Sequence, residues 1–208
     1  MPRAGLTPAA VVAAGADLAD EIGWSDLTLA QVAERVGVRA PSLYKHVASQ
    51  GDLTRRIAAL ALAQAGAAVG AAIQGRSGTE ALGAAARALR GFVTSHPGRY
   101  GATVGLRTVA VGPGDEPDPV AVAAAEALEP LRAVLRGYDI APEDEPHALR
   151  ALRSVFHGFA TLESAGGFQY SADVDESYEW LIAMVDRGLR GMSPEHADPA
   201  DLAEPADR

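Results

Sequence analysis

Apolar positions recur along this chain every three or four residues, the spacing of helices that each bury one face. Val11, Ala14, Leu18 and Ile22 set the pattern. Thr7 before Pro8 offers an N-cap and a proline where its missing N–H costs nothing. Gly23 stands where a left-handed residue closes a helix, so a helix is expected over about 8–22. Thr28-Leu29-Ala30-Gln31 is a capping box that opens a short helix stopping at Gly37. A second short helix is predicted over about 39–47, with Pro41 in its first turn. Ser49 and Asp52 then start a long one reaching about Ile73. Further helices are expected over about 79–95, 99–104, 119–137, 142–164 and 173–191. The run of Gly, Pro and acid from Gly112 to Pro119 reads as a loop. The tail, 193–208, holds Pro, Ala and acid and is expected to be disordered. No stretch alternates with period two, so the predicted class is all-α.

Composition sharpens that picture. Of 208 residues 44 are alanine, and aromatics are only 5%; alanine favours helix and disfavours strand. Cysteine is absent, which excludes disulfide scaffolds, thiolate zinc sites and thiol catalysis. The longest uncharged stretch, Ile57 to Gly75, is too rich in Ala and Gly for a membrane span. The N-terminus lacks the apolar stretch and cleavage site of a signal peptide. A cytoplasmic protein is expected, with no membrane partner. The histidines, at 46, 96, 147, 157 and 196, have no metal-binding spacing, and no nucleophile elbow or phosphate loop occurs. The expectation is therefore no enzyme, no cofactor and no metal.

Charge divides the chain. The net charge is −9, yet residues 1–60 hold six basic and six acidic side chains. The N-terminal part is where a polyanion can be tolerated. It also carries a specific apolar code: Val32, Val36, Val38, Leu43 and Val47 point inward, Ala33 is small where two helices cross, and Gly37 permits the turn. That spacing is a helix-turn-helix, whose second helix enters a DNA major groove. Arg39 and Ser42 lie near the end that reaches base edges, while Tyr44, Lys45 and His46 can donate to phosphate oxygens. Lys45 is the chain's one lysine. The Thr28 hydroxyl caps a helix whose free N–H groups can hold a phosphate.

Thr28-Leu29-Ala30-Gln31-Val32-Ala33, Gly37-Val38, Pro41-Ser42-Leu43-Tyr44-Lys45-His46-Val47 and Leu53 together resemble the DNA-binding domain of TetR-family transcriptional regulators. The resemblance implies an all-helical homodimer with a DNA-binding domain over 1–52 and a regulatory and dimerisation domain over 53–192. It assigns DNA contact to Thr28, Pro41, Ser42, Tyr44, Lys45 and His46. Two positions depart from the family pattern: Arg39 replaces a Ser or Thr cap, and Gln50 replaces a phosphate-binding Lys. Arg39 can itself touch DNA. More loosely, Phe156-His157-Gly158, Leu162-Glu163 and Gly166-Gly167-Phe168 resemble the WHG-type regulatory domain.

In the family the last two long helices form the dimer interface, which here singles out Val155, Phe159, Leu162, Tyr178, Leu181 and Val185 by register. Candidate walls and anchors for a small-molecule effector are Phe92, His96, Tyr100, Leu106, Arg107 and His157. The implied function is a dimeric, ligand-responsive regulator at the nucleoid, a repressor released from a pseudo-palindromic double-stranded operator by a small molecule. A rival reading is a helical, dimeric small-molecule-binding protein with little or no DNA binding. Gln50, the neutral N-terminal part and the acidic remainder favour that rival.

Overall fold

The caps read from the sequence are made. Thr7 Oγ1 accepts from the Ala10 N–H at 3.1 Å, and Ser49 Oγ from the Asp52 N–H at 3.1 Å. In the computed structural model, which describes residues 6–105, 118–169 and 171–192, the elements run α1 (Pro8–Ile22), a 3-10 turn (Trp24–Asp26), α2 (Leu29–Arg35), α3 (Ala40–Leu43), α4 (Gln50–Ala72), α5 (Gly78–Ser95), α6 (Pro97–Gly101), α7 (Pro119–Leu135), α8 (Glu145–Ser164) and α9 (Val174–Gly191). No strand occurs among the described residues. Residues 112–117 of the loop expected from Gly112 to Pro119, the tail and the candidates Leu106 and Arg107 lie outside them, while Pro119 already opens α7.

The chain forms two compact units. The first comprises the described parts of Met1–Ala67 and Phe92–Ala127. Its core gathers Val11, Ala16, Leu27, Val32, Leu43, Val47, Leu53 and Ile57, all nearly or fully buried. The boundary expected after residue 52 therefore falls inside this core, because Leu53, Ile57 and Ala58 of α4 are needed to close it. Short helix α6, two to three residues earlier than anticipated, lies on the end of α1. Pro97 starts it, and Gly98 and Arg99 are buried there. The Arg99 guanidinium and backbone N–H both bond the Asp20 carboxylate, each at 2.7 Å. Arg99 also reaches Gln64 at 3.1 Å and Asp17, while His96 Nδ1 sits 3.1 Å from Asp20.

The second unit comprises Ala68–Gly91 and the described part of Leu128–Arg208. Leu82, Val134, Leu152, Phe156, Tyr178 and Ile182 fill its interior. The Tyr178 hydroxyl donates to the Ala86 carbonyl at 2.7 Å, and burial pushes this phenol well above its ordinary pKa. Arg90 binds Glu163 through two bonds of 2.6 Å and Asp175 through a third, with its guanidinium over the Tyr178 ring at 4.9 Å. A second polar cluster joins Thr79 and Tyr138 to Asp186.

Candidate nucleic-acid interface

Gly37, at φ +72°, ends α2 and turns the chain toward α3 in a conformation that side chains rarely adopt. The Val38 N–H closes the turn on the Ala33 carbonyl at 2.9 Å. Helix α3 is shorter than the predicted 39–47: four residues are followed by a tight turn in which the His46 and Val47 N–H groups both bond the Leu43 carbonyl, at 2.8 and 3.0 Å. Leu43 and Val47 anchor the segment beneath. Around them Tyr44 is 59% exposed, Lys45 and Pro41 are exposed, and Ser42 and His46 are half-buried. The segment is thus pinned by two apolar residues and presents its polar ones outward.

The surrounding charges concentrate this effect. Arg35 is bound to Glu21 and Arg56 to Asp52. Burial acts to raise the Asp52 carboxyl, but Arg56 and the Ala48 N–H outweigh it and hold it lower than usual. Arg39 and Lys45 have no carboxylate partner among the described residues. Among the described residues, the free positive charge of the module therefore lies at and beside α3, the place where a phosphate would have to be met. Arg39 occupies the N-cap of α3, where its donor-only guanidinium accepts no capping bond.

At the start of α2 the capping box is complete. The Gln31 N–H donates to Thr28 Oγ1 at 3.3 Å, and the Thr28 N–H to Gln31 Oε1 at 2.8 Å. Gln50 adds what the sequence did not disclose. Its Oε1 accepts from the Leu29 N–H at 2.9 Å and its Nε2 donates to the Leu27 carbonyl at 3.1 Å. The residue read as a missing phosphate contact is an internal clamp from α4 to the α2 N-terminus. It occupies one N–H that a phosphate could otherwise use. No local pattern foretells a bond across 21 residues.

The other candidate residues separate. Phe92, His96 and Tyr100 do come together in the first unit, with ring centroids 5.1 and 6.2 Å from Phe92. Tyr100 is buried and His96 holds Asp20, so these two serve packing and the α1–α6 junction. His157 stands on α8 in the second unit; burial, then the charge of Arg153, lowers its pKa. A groove of about 260 Å³ in the second unit is lined by Leu128, Arg132, Pro146, Leu149, Arg150 and Arg153, none of them an anticipated effector contact.

Among the interface candidates, Tyr178 has to be corrected. It is fully buried within its own protomer, because the core claims its ring and Ala86 its hydroxyl. Val155, Phe159, Leu181 and Val185 are half-buried against the same core. Leu162 remains 54% exposed, and it is joined by two residues the register argument missed, Trp180 at 63% and Met184 at 40%.

Comparison with known proteins bears on this geometry. Residues 82–185 match the family model described as tetracyclin repressor-like, C-terminal domain. An uncharacterised HTH-type transcriptional regulator of Mycobacterium tuberculosis is 32% identical over 184 residues, covering 88% of this chain and 82% of the relative. A structure of BioQ with its natural double-stranded DNA operator superposes with a TM-score of 0.66 at 22% identity, covering 89% of this chain and 99% of BioQ. A TetR variant from Acinetobacter baumannii AYE in complex with minocycline gives 0.60 at 23% identity, covering 90% and 94%. At these identities the two structures speak for the fold.

Proposed function

We propose that this chain, which belongs to the TetR family of transcriptional regulators, acts in the cytoplasm as a dimeric repressor that leaves its operator when a small molecule binds. The observation that carries the reading is the α3 turn. In a protein of net charge −9, Arg39 and Lys45 are left without carboxylates among the described residues, beside the exposed Tyr44. Thr28, Pro41, Ser42, Tyr44, Lys45 and His46, with Arg39, form the proposed DNA face. Support comes from BioQ, whose structure holds operator DNA, and from the minocycline complex. Two copies would place their α3 helices about one DNA turn, or a small multiple, apart on a pseudo-palindrome. The effector acts only through its different affinities for the DNA-competent and released states.

The rival, a ligand-binding dimer with little DNA affinity, draws on Gln50, whose amide fills part of the α2 start. Selection of bound sequences from a random duplex pool at two salt concentrations separates the two. The repressor reading expects an enriched two-fold palindrome and steep salt dependence. On the selected operator, Lys45→Ala should weaken binding and reduce the salt slope by about one, and Tyr44→Ala should weaken it by about tenfold. Full affinity in both folded variants would remove α3 from the DNA face.

Trp180 and Met184, one turn apart on α9, with Leu162 on α8 supply the proposed dimer contact, since large exposed apolar side chains mark an interaction surface. Trp180→Asp is expected to convert the dimer to a monomer in sedimentation while retaining helical circular dichroism. A dimer of unchanged affinity would refute the α9 contact. Leu181 is unsuited to this test because it packs on the protomer core.

A further inference from the structure

The groove of about 260 Å³ between α7 and α8 is chemically two-sided. Leu128, Leu149 and Pro146 give it an apolar lining, while Arg132, Arg150 and Arg153 bring guanidinium groups to it. Arg132 is already satisfied, bound to Glu145 at 2.9 Å and to Glu129. Arg150 and Arg153 differ from most arginines of the chain: neither has a carboxylate partner among the described residues. They stand three positions apart on α8, where like charges face each other at a cost. His157, one turn beyond Arg153, is kept from protonation by its burial and by the Arg153 charge, so it does not add a third cation to that wall at neutral pH.

Two unneutralised guanidinium groups beside an apolar lining suit a small anion with an apolar body. A carboxylate can take two parallel N–H···O bonds from a guanidinium, and an attached hydrocarbon or aromatic body can cover the leucines and the proline. We propose that this groove binds a small organic carboxylate with an apolar body, held by Arg150 and Arg153. Binding needs only the groove. Its role as the signal that releases DNA rests on the repressor reading above.

The test uses the full-length protein without DNA, titrated calorimetrically with octanoate and, in parallel, with the neutral 1-octanol. Octanoate is expected to bind at about 0.1–1 mM, the range for a ligand of its size, and more tightly than octanol by about tenfold. Arg150→Gln with Arg153→Gln should remove that preference and leave the thermal melt unchanged, both side chains being exposed. Equal binding of octanoate and octanol, or an octanoate affinity unchanged in the double variant, overturns the site. Repeating the titration on the operator complex then tests the signal. Release of DNA by octanoate in the parent but not in the double variant supports the effector role. Octanoate binding without release overturns that role and leaves the site standing.

Discussion

Gly98→Ala is expected to destabilise the first unit by about 3 kcal/mol, at the upper end of what overpacking costs. A methyl group built on Gly98 would lie 1.8 Å from the Ala19 carbonyl oxygen and 2.1 Å from its carbon. Both are backbone atoms of α1, so no side-chain rotation relieves the contact. Either α6 lifts from α1 or the last turn of α1 opens. The better helix propensity of alanine, worth about 1 kcal/mol, offsets only part of the loss. Gly91→Ala is the matched control: the residue is exposed in α5, with nothing within 4 Å of the added carbon, and should gain about 0.5–1 kcal/mol. Urea unfolding of the two variants should move the midpoint in opposite directions. A Gly98→Ala midpoint equal to the parent would mean that α6 does not rest on α1.

Removing the Arg99 side chain is expected to cost a similar or larger amount. Arg99 is 8% exposed and the Asp20 side chain 14%, so the pair is largely out of water. Burying an ion pair is itself weak evidence of stability, but breaking one from a single side leaves a charge uncompensated, at about 3–5 kcal/mol. In Arg99→Met the Asp20 carboxylate keeps only the Arg99 backbone N–H and His96, while Gln64 and Asp17 lose their guanidinium partner. Adding Asp20→Asn withdraws the stranded charge and should recover most of the loss, because contacting residues are not additive. If Arg99→Met alone shifts stability by less than about 1 kcal/mol, the junction is not the dry, multiply bonded contact its geometry describes.

Much of this architecture could be read locally. The Thr28–Gln31 capping box, the Gly37 turn and the Thr7 cap each involve residues three to five positions apart, and the bonds they foretell are made. Helix ends shifted by only a few residues for the same reason. Contacts far apart in sequence were not legible. In the sequence Arg99 only opens a short predicted helix, yet its meaning lies in Asp20, 79 residues earlier. Gln50 read as a loss, because its two bonds to the α2 start depend on how α4 docks. Tyr178 and Trp180 show the limit of helical period most directly. Helix α9 is apolar on more than one face, and register alone does not say which face the protomer keeps for itself. The core took Tyr178 and left Trp180 outside.

Lys45 gives the chain an unusual chemical handle. It is the sequence's sole lysine and stands exposed on the turn after α3. An amine-reactive reagent therefore meets a single lysine side chain in this sequence. Acylation there exchanges a cation for a neutral amide at the proposed DNA face, and protection of that single amine by duplex would be readable as a mass difference at one peptide. Bound and free states could be followed without mutating or tagging the protein.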